Sequence, residues 1–257
     1  MTTDFTEEKQ LASGWFRSLR DQIVAAFEEL EETHTEGPFN DLAPKKFEVK
    51  TTRRTSDDGS HAGGGLMSVM RGGRVFEKVG VNVSTVFGTL GKEAQMAMSA
   101  RKNIPEMKTD PPMWASGISL VAHMRNPKCP AVHMNTRMFW TPHAWWFGGG
   151  SDLNPCIEFD ADTQHFHDQQ KLHLDPHGAD LYPQLKAWAD EYFYISHRNR
   201  ARGVGGIFMD DRCTGDWRSD FQLTQDIGRA FLPAYVPLVE KRRVEGFDEA
   251  DKDTQLV

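Results

Sequence analysis

A chain of 257 residues, 39% of them hydrophobic, can bury one large core or two small ones, and nothing in its composition calls for two. A formal net charge of -7 and an isoelectric point of about 5.8 exclude a general binder of nucleic acid or of anionic membrane, so basic residues have to act locally. Cys129, Cys156 and Cys213 stand far apart without a Cys-x-x-Cys pair, which excludes a disulfide framework and a zinc ribbon and points to a reducing compartment.

From Asp4 to Glu32 the residues Leu11, Trp15, Phe16, Leu19, Ile23, Ala26, Phe27 and Leu30 recur every three or four positions, the stripe of an amphipathic helix. Asp4 with Glu7 reads as its cap, and the helix is expected to end before Gly37-Pro38. Met1 to Glu8 carry acids rather than arginines, so neither a secretory signal nor a transit peptide is expected. Lys45 to Thr52 predicts a short strand and Thr55 to Gly65 a mobile loop. Gly63-Gly64-Gly65 lacks both the Gly-Lys-Ser/Thr continuation and the dinucleotide spacing of a phosphate cradle. Leu66 to Met70 and Arg74 to Phe87 read as strands that turn at Arg71-Gly72-Gly73. In the second, Val79, Val81, Val83 and Thr85 oppose Gly80, Asn82, Ser84 and Val86.

The centre of the chain is the stretch from Trp114 to Asp152. In Ala131 to Trp140, an extended backbone sets His133, Asn135, Arg137 and Phe139 on one face and Val132, Met134, Thr136, Met138 and Trp140 on the other. Gly117 to Arg125 alternates in the same way, with Ser119 and His123 on its polar side. Asn126 to Pro130 is rich in turn residues and joins the two as an antiparallel hairpin. A symmetric loop sets His123 opposite His133 and Ser119 opposite Arg137, and a bulge shifts that register. Trp145 to Asp152 follows, with Gly148-Gly149-Gly150 read as a sharp bend or a point of close ligand approach. Asp162 to Leu174 and Tyr182 to Arg202 read as helices, Val204 to Met209 as a buried strand, and Phe221 to Arg243 as a long helix kinked at Pro233 and Pro237. No apolar run nears the roughly 20 residues of a membrane span. Strands in a run with helices before and after give an α+β fold, an antiparallel sheet covered by helices. One domain is expected over residues 1–257, with the first helix in 4–32, sheet and site in 45–160, and helices and a strand in 161–257.

A sheet face that displays Ser119, His123, His133, Asn135 and Arg137 destabilises the fold unless it meets water, a ligand or bonded partners, so it reads as a pocket wall. Arg137 can clamp a carboxylate through two parallel bonds, and Asn135 and Ser119 add neutral donors. The set suits a ligand with several carboxylates. Asp152 either gathers N–H donors or acts as a base, or else caps a turn. His165, His167, His173 and His177 raise a rival, a metal site, although His165 and His167 point to different sides of a helix.

Several long segments together carry a resemblance: Gly63-Gly64-Gly65, Val75 to Asn82, Gly117 to Leu120 with His123, His133 to Arg137, Trp145 to Leu153, Asp190 to Tyr194 with His197-Arg198, and Gly205 to Asp211. In these the chain resembles the oxygen-dependent coproporphyrinogen III oxidase family. The resemblance implies oxidative decarboxylation of the ring A and B propionates of coproporphyrinogen III to the vinyls of protoporphyrinogen IX, in haem and porphyrin biosynthesis. Oxygen is the acceptor, and carbon dioxide and hydrogen peroxide are the by-products. It implies a flat antiparallel sheet sandwiched between helical layers and a homodimer. By motif, Ser119, Asn135, Thr136 and Arg137 are substrate contacts, with Thr136 at a variable position. Asp152 is the carboxylate under the pyrrole N–H groups, and His133 is a proton donor. His123, His133, His167 and His197 match positions proposed to hold a divalent metal. No nicotinamide or flavin fingerprint is seen, so no organic cofactor is expected. The family pattern continues past Gln255-Leu256-Val257 with an arginine-rich strand, a dimer-forming segment and a Gly-Gly-Arg contact, none of which this sequence contains. The compartment implied is the cytoplasm, with mitochondria as the alternative. Two other functions compete: a histidine-metal hydrolase or oxygenase, and a tetrapyrrole-binding protein without catalysis. The leading reading requires Arg137 and Asp152 on one side of the sheet.

Overall fold

The computed structural model describes residues 5–92, 96 and 111–256. It opens with α1 (Thr6–Glu32) and then runs through β1 (Glu48–Thr55), β2 (His61–Arg71), β3 (Phe76–Thr89), β4 (Pro112–Met124), β5 (Ala131–Trp140) and β6 (Trp145–Asn154). Two helices follow, α2 (Asp160–Leu174) and α3 (Leu181–Tyr192), and then a small hairpin of β7 (Tyr194–Ile195) and β8 (Arg200–Ala201). The strand β9 (Gly205–Arg212), α4 (Trp217–Arg242) and α5 (Glu249–Asp253) complete the described chain. Seven strands form one antiparallel sheet in the order β1-β2-β3-β4-β5-β6-β9, so the fold is α+β as expected.

Alternation sorts the sheet's two faces. Val79, Val81 and Val83 of β3, Ile118, Leu120 and Ala122 of β4, and Val132, Met134 and Met138 of β5 are buried against α1, α2 and α4. Phe16, Leu19, Ile23 and Phe27 of α1 and Phe231, Ala234 and Tyr235 of α4 fill the other half of that core. Burial of the Val, Leu, Ile, Met and Phe side chains among these is worth about 1.5–3 kcal/mol each. The opposite face is covered at its β9 end, where Trp188 and Tyr192 and then Phe193 pack on Phe208. Buried Glu31 ties α1 to the turn before β3, because its carboxylate accepts the backbone N–H groups of Arg74, Val75 and Phe76 at 2.9 Å each.

Several expectations change. The first helix begins at Thr6 without a side-chain cap, and Asp4, proposed as that cap, lies outside the described residues. Residues 61–65 are strand rather than loop, since the β1–β2 turn closes earlier, with Gly59 N–H donating to Ser56 O and Ser60 N–H to Asp58 Oδ1. Gly148-Gly149-Gly150 makes no bend either, but runs inside β6 between β5 and β9. The β4–β5 register is shifted by two residues, pairing Val121 with His133, Ser119 with Asn135 and Gly117 with Arg137. Met124 and His123 instead extend past β5 and pair with β3 alone, while Asn126 is held by carbonyls of Arg242 and Glu245. A shift of two leaves each side chain on its predicted face. The helix read as Tyr182 to Arg202 stops at Tyr192, after which Asn199 in the left-handed region turns the chain back to form β7 and β8. The last helix runs on through both prolines, and Pro233 O, which Pro237 cannot serve, bonds His165 Nε2 at 2.9 Å.

Candidate active site

The face of the sheet away from α1 carries the polar set. Pairing of β5 with β6 puts His133 opposite Asp152, Asn135 opposite Gly150 and Arg137 opposite Gly148, so Arg137 and Asp152 share one side. On the other flank of β5, Ser119 faces Asn135, and Asn82 of β3 faces Ser119. Over these strands lies a hollow of about 430 Å³ bordered by Asn82, Ser84, Gly117, Ser119, Asn135 and Arg137. That is within the range of small-molecule sites, roughly 300–1,000 Å³. Glycines leave room around Arg137: a Cβ on Gly117, which borders the hollow, lies 2.9 Å from the Cβ of Arg137, and one on Gly148 lies 3.1 Å from the guanidinium and 2.7 Å from Asp210 Oδ1.

Hydrogen bonds order the group. Arg137 Nη1 donates to Asn135 Oδ1 at 2.9 Å, and Arg137 Nη2 pairs with Asp210 Oδ1 at 2.9 Å. Because Asn135 Oδ1 already accepts from Arg137, its amide nitrogen is the atom that meets His133 Nε2, at 3.2 Å. His133 Nε2 therefore accepts. The ring proton sits on Nδ1 and is donated to Asp152 Oδ1 at 2.9 Å. The second carboxylate oxygen, Oδ2, takes Asn154 Nδ2 at 2.8 Å and both Nε and Nη2 of Arg202 at 3.0 and 2.8 Å. Burial pushes the Asp152 carboxyl up, but bonds from His133 and Asn154 and the charge of Arg202 outweigh it and hold the group below its ordinary value. Arg137 keeps 40% of its side chain exposed and His133 25%, whereas Asp152 exposes none.

The expected site residues divide accordingly. Ser119, Asn135, Arg137 and His133 come together on the open face. Asp152 joins them from beneath, with its oxygens turned to protein donors rather than to the hollow. Thr136 is fully buried on the helix side, and its hydroxyl has no partner among the described residues, so the strand's pleat carries it away from any ligand on the open face. The four histidines of the metal set do not converge. His123 stands opposite Lys78, and His197 is exposed in the Ser196–Arg198 turn. His167 has both ring nitrogens occupied, Nε2 by Val204 O at 3.0 Å and Nδ1 by Tyr182 Oη at 2.9 Å. Burial lowers the His167 pKa and pushes the Tyr182 phenol up to about 12. Among the described residues no three His, Cys, Asp or Glu side chains form a group fit to hold a metal ion. The residues present therefore do not fit a shared ion. Arg202, Asn154, Asp210 and Phe193 also surround the site, and no spacing or pattern in the sequence marks them individually. Asp210 lies in the recognised Gly205 to Asp211 segment and Phe193 in Asp190 to Tyr194, whereas Arg202 carried no signal of its own.

The pattern described as coproporphyrinogen III oxidase matches residues 12–257. A protein of Rickettsia akari (strain Hartford) named oxygen-dependent coproporphyrinogen-III oxidase is 42% identical over 251 residues, 98% of this chain and 85% of its own length. The proteins of that name from Rickettsia bellii (strain RML369-C) and Rickettsia conorii (strain ATCC VR-613 / Malish 7) are each 41% identical over the same shares. The chain belongs to the coproporphyrinogen III oxidase family.

Proposed function

We propose that the protein converts the ring A and B propionates of coproporphyrinogen III to vinyl groups, with oxygen as acceptor, giving protoporphyrinogen IX in haem and porphyrin biosynthesis. The observation that carries this reading is that Arg137, a carboxylate clamp, and His133, a proton carrier, stand on one open face, joined through Asn135. The family membership and the names of the relatives support it. Strands β3 to β5 are about 10 Å across at the usual strand spacing, a floor on which a tetrapyrrole ring can lie.

For each propionate the balance is –CH2–CH2–COO⁻ plus O2 plus H⁺ giving –CH=CH2, CO2 and H2O2. Carbon dioxide leaves with the C–C bond, and one hydrogen leaves with two electrons for oxygen. Arg137 holds the carboxylate that departs, while Ser119 and Asn135 donate to neighbouring polar atoms. When Asn135 turns to substrate, His133 Nε2 is freed to take a pyrrole proton and return it to reduced oxygen. Asp152 stabilises the ring charged in between. The pyrroles are electron-rich enough to feed oxygen directly, so the reading needs no organic cofactor.

We also propose a homodimer and a cytoplasmic setting. No helix among the described residues is long and apolar enough to cross a membrane. Sedimentation at micromolar concentration reads the dimer as twice the chain mass.

The enzymatic test is aerobic turnover of reduced coproporphyrinogen III, followed by vinyl absorbance, for the wild type, His133→Asn and Arg137→Met. Loss of turnover in both variants with the fold intact is expected. Turnover equal to wild type in either one removes that residue from the mechanism. Ligand retained by the wild-type protein without vinyl formation favours a tetrapyrrole binder instead.

A further inference from the structure

Asp152 stands buried beneath His133, and four N–H groups of the protein reach its two oxygens. One oxygen is committed to the imidazole. The other is gripped by three N–H groups, two of them from a residue outside the seven-stranded sheet. That residue is Arg202, fifty positions further on, where the β7–β8 hairpin returns to the sheet.

We propose that Arg202 is a positioning residue for the His133 step, its guanidinium locking the Asp152 carboxylate so that the imidazole keeps Nε2 turned to Asn135, which borders the hollow. The proposal rests on the reading of His133 as proton carrier. Arg202 is itself held in place twice. Its backbone N–H donates to Phe193 O at 3.2 Å, and its guanidinium carbon lies 4.1 Å from the centre of the Phe193 ring. The same ring meets His133 edge-on, with centroids 6.4 Å apart. Phe193 is thus a shared wall that fixes the angle between clamp and imidazole.

Geometry explains why a clamp is needed. Without Arg202 the carboxylate keeps one donor on each oxygen, His133 on Oδ1 and Asn154 on Oδ2, and two single bonds leave its terminal torsion, whose preference is broad, free to turn. Two donors from a planar fork on Oδ2 forbid that turn, because the guanidinium defines a plane as well as a point. With Oδ2 fixed, Oδ1 is the acceptor left for His133 Nδ1–H, and the ring keeps one tautomer and one orientation. Lysine supplies charge without the plane, so it is a partial substitute.

The test compares Arg202→Met and Arg202→Lys with the wild type in aerobic turnover and in nitrogen NMR of the ring nitrogens. For Arg202→Met the expected loss in kcat is on the order of 100-fold, with KM little changed, as for a misplaced reacting group. The His133 signals are expected to change from a single Nδ1–H form to a mixture. Arg202→Lys should recover part of the rate, and millimolar guanidinium ion should recover part of the rate of Arg202→Ala but none of that of His133→Asn. A merely structural arginine lowers the melting temperature while leaving kcat per folded molecule and the His133 signals as in wild type, and that result overturns the proposal. Should Arg202→Met not fold, Arg202→Lys with the same two readouts decides. Full activity of His133→Asn is a separate failure, of the proton-carrier reading rather than of the clamp.

Discussion

At His133 the direction of each hydrogen bond follows from its neighbour, starting from Arg137, which can only donate. Replacing Asp152 by Asn keeps the shape but puts an amide where an acceptor-only group met four N–H donors from three residues. We expect kcat to fall by about 100- to 10,000-fold, the range for lost acid–base assistance, checked by steady-state assay with circular dichroism as the fold control. The same carboxylate carries a pH dependence. Its folded-state value lies below its ordinary 3.8, so its contribution to stability is complete above that value and is lost as pH falls through the lower folded one. Urea unfolding at stepped pH should show the wild type losing more stability than Asp152→Asn on entering that acid range. Arg137→Lys keeps charge but loses the fork to Asn135 and a carboxylate. A charge-assisted bond of about 1.5–3 kcal/mol predicts kcat/KM lower by roughly 10- to 100-fold. The shared face of His133, Asn135 and Arg137 is legible in sequence because strand alternation needs no partner. Arg202 and Asp210 are not, because each reaches the group from tens of residues away and only the fold supplies the meeting.

Among the elements, the strands are legible where apolar and polar residues alternate and are hidden where glycine removes that signal. Gly63-Gly64-Gly65 and Gly148-Gly149-Gly150 both suggest turns, yet both lie inside strands whose neighbours come close. A Cβ on Gly206 or Gly150 strikes backbone across the β6–β9 pair. Two substitutions separate the roles. Gly148→Ala meets the mobile ends of Asp210 and Arg137, so kcat/KM should drop while the melting temperature holds. Gly206→Ala meets the Ser151 carbonyl, so it should lower stability by about 1–3 kcal/mol, as overpacking does. Thermal melts paired with turnover assays distinguish the two, and the reverse pattern contradicts the assignment. The helix predicted as far as Arg202 is too long because Ile195 and His197 happen to continue a helical spacing. The chain instead spends those residues on the hairpin that delivers Arg202 to Asp152.

For the whole molecule, the sheet divides labour between its faces: one is sealed by α1, α2 and α4, and the other holds the hollow. Expectation and structure agree on the α+β class because runs of alternating strands between amphipathic helices leave few other ways to bury the apolar side. The register shift of two shows the limit of such reading. Loop length alone does not reveal that Asn126 is fastened to the end of α4. Such a face, with a clamp at Arg137 and a proton carrier at His133, is built for chemistry on a carboxylated ring. A single turnover tests that claim most directly: the protein is loaded with coproporphyrinogen III without oxygen, mixed with oxygenated buffer, and followed for vinyl groups, carbon dioxide and hydrogen peroxide together. The account predicts two of each per protoporphyrinogen formed, and none of the three when both His133 and Arg137 are replaced. Vinyl formation at the wild-type rate in that double variant, or oxygen uptake by the loaded wild type without carbon dioxide release, contradicts it.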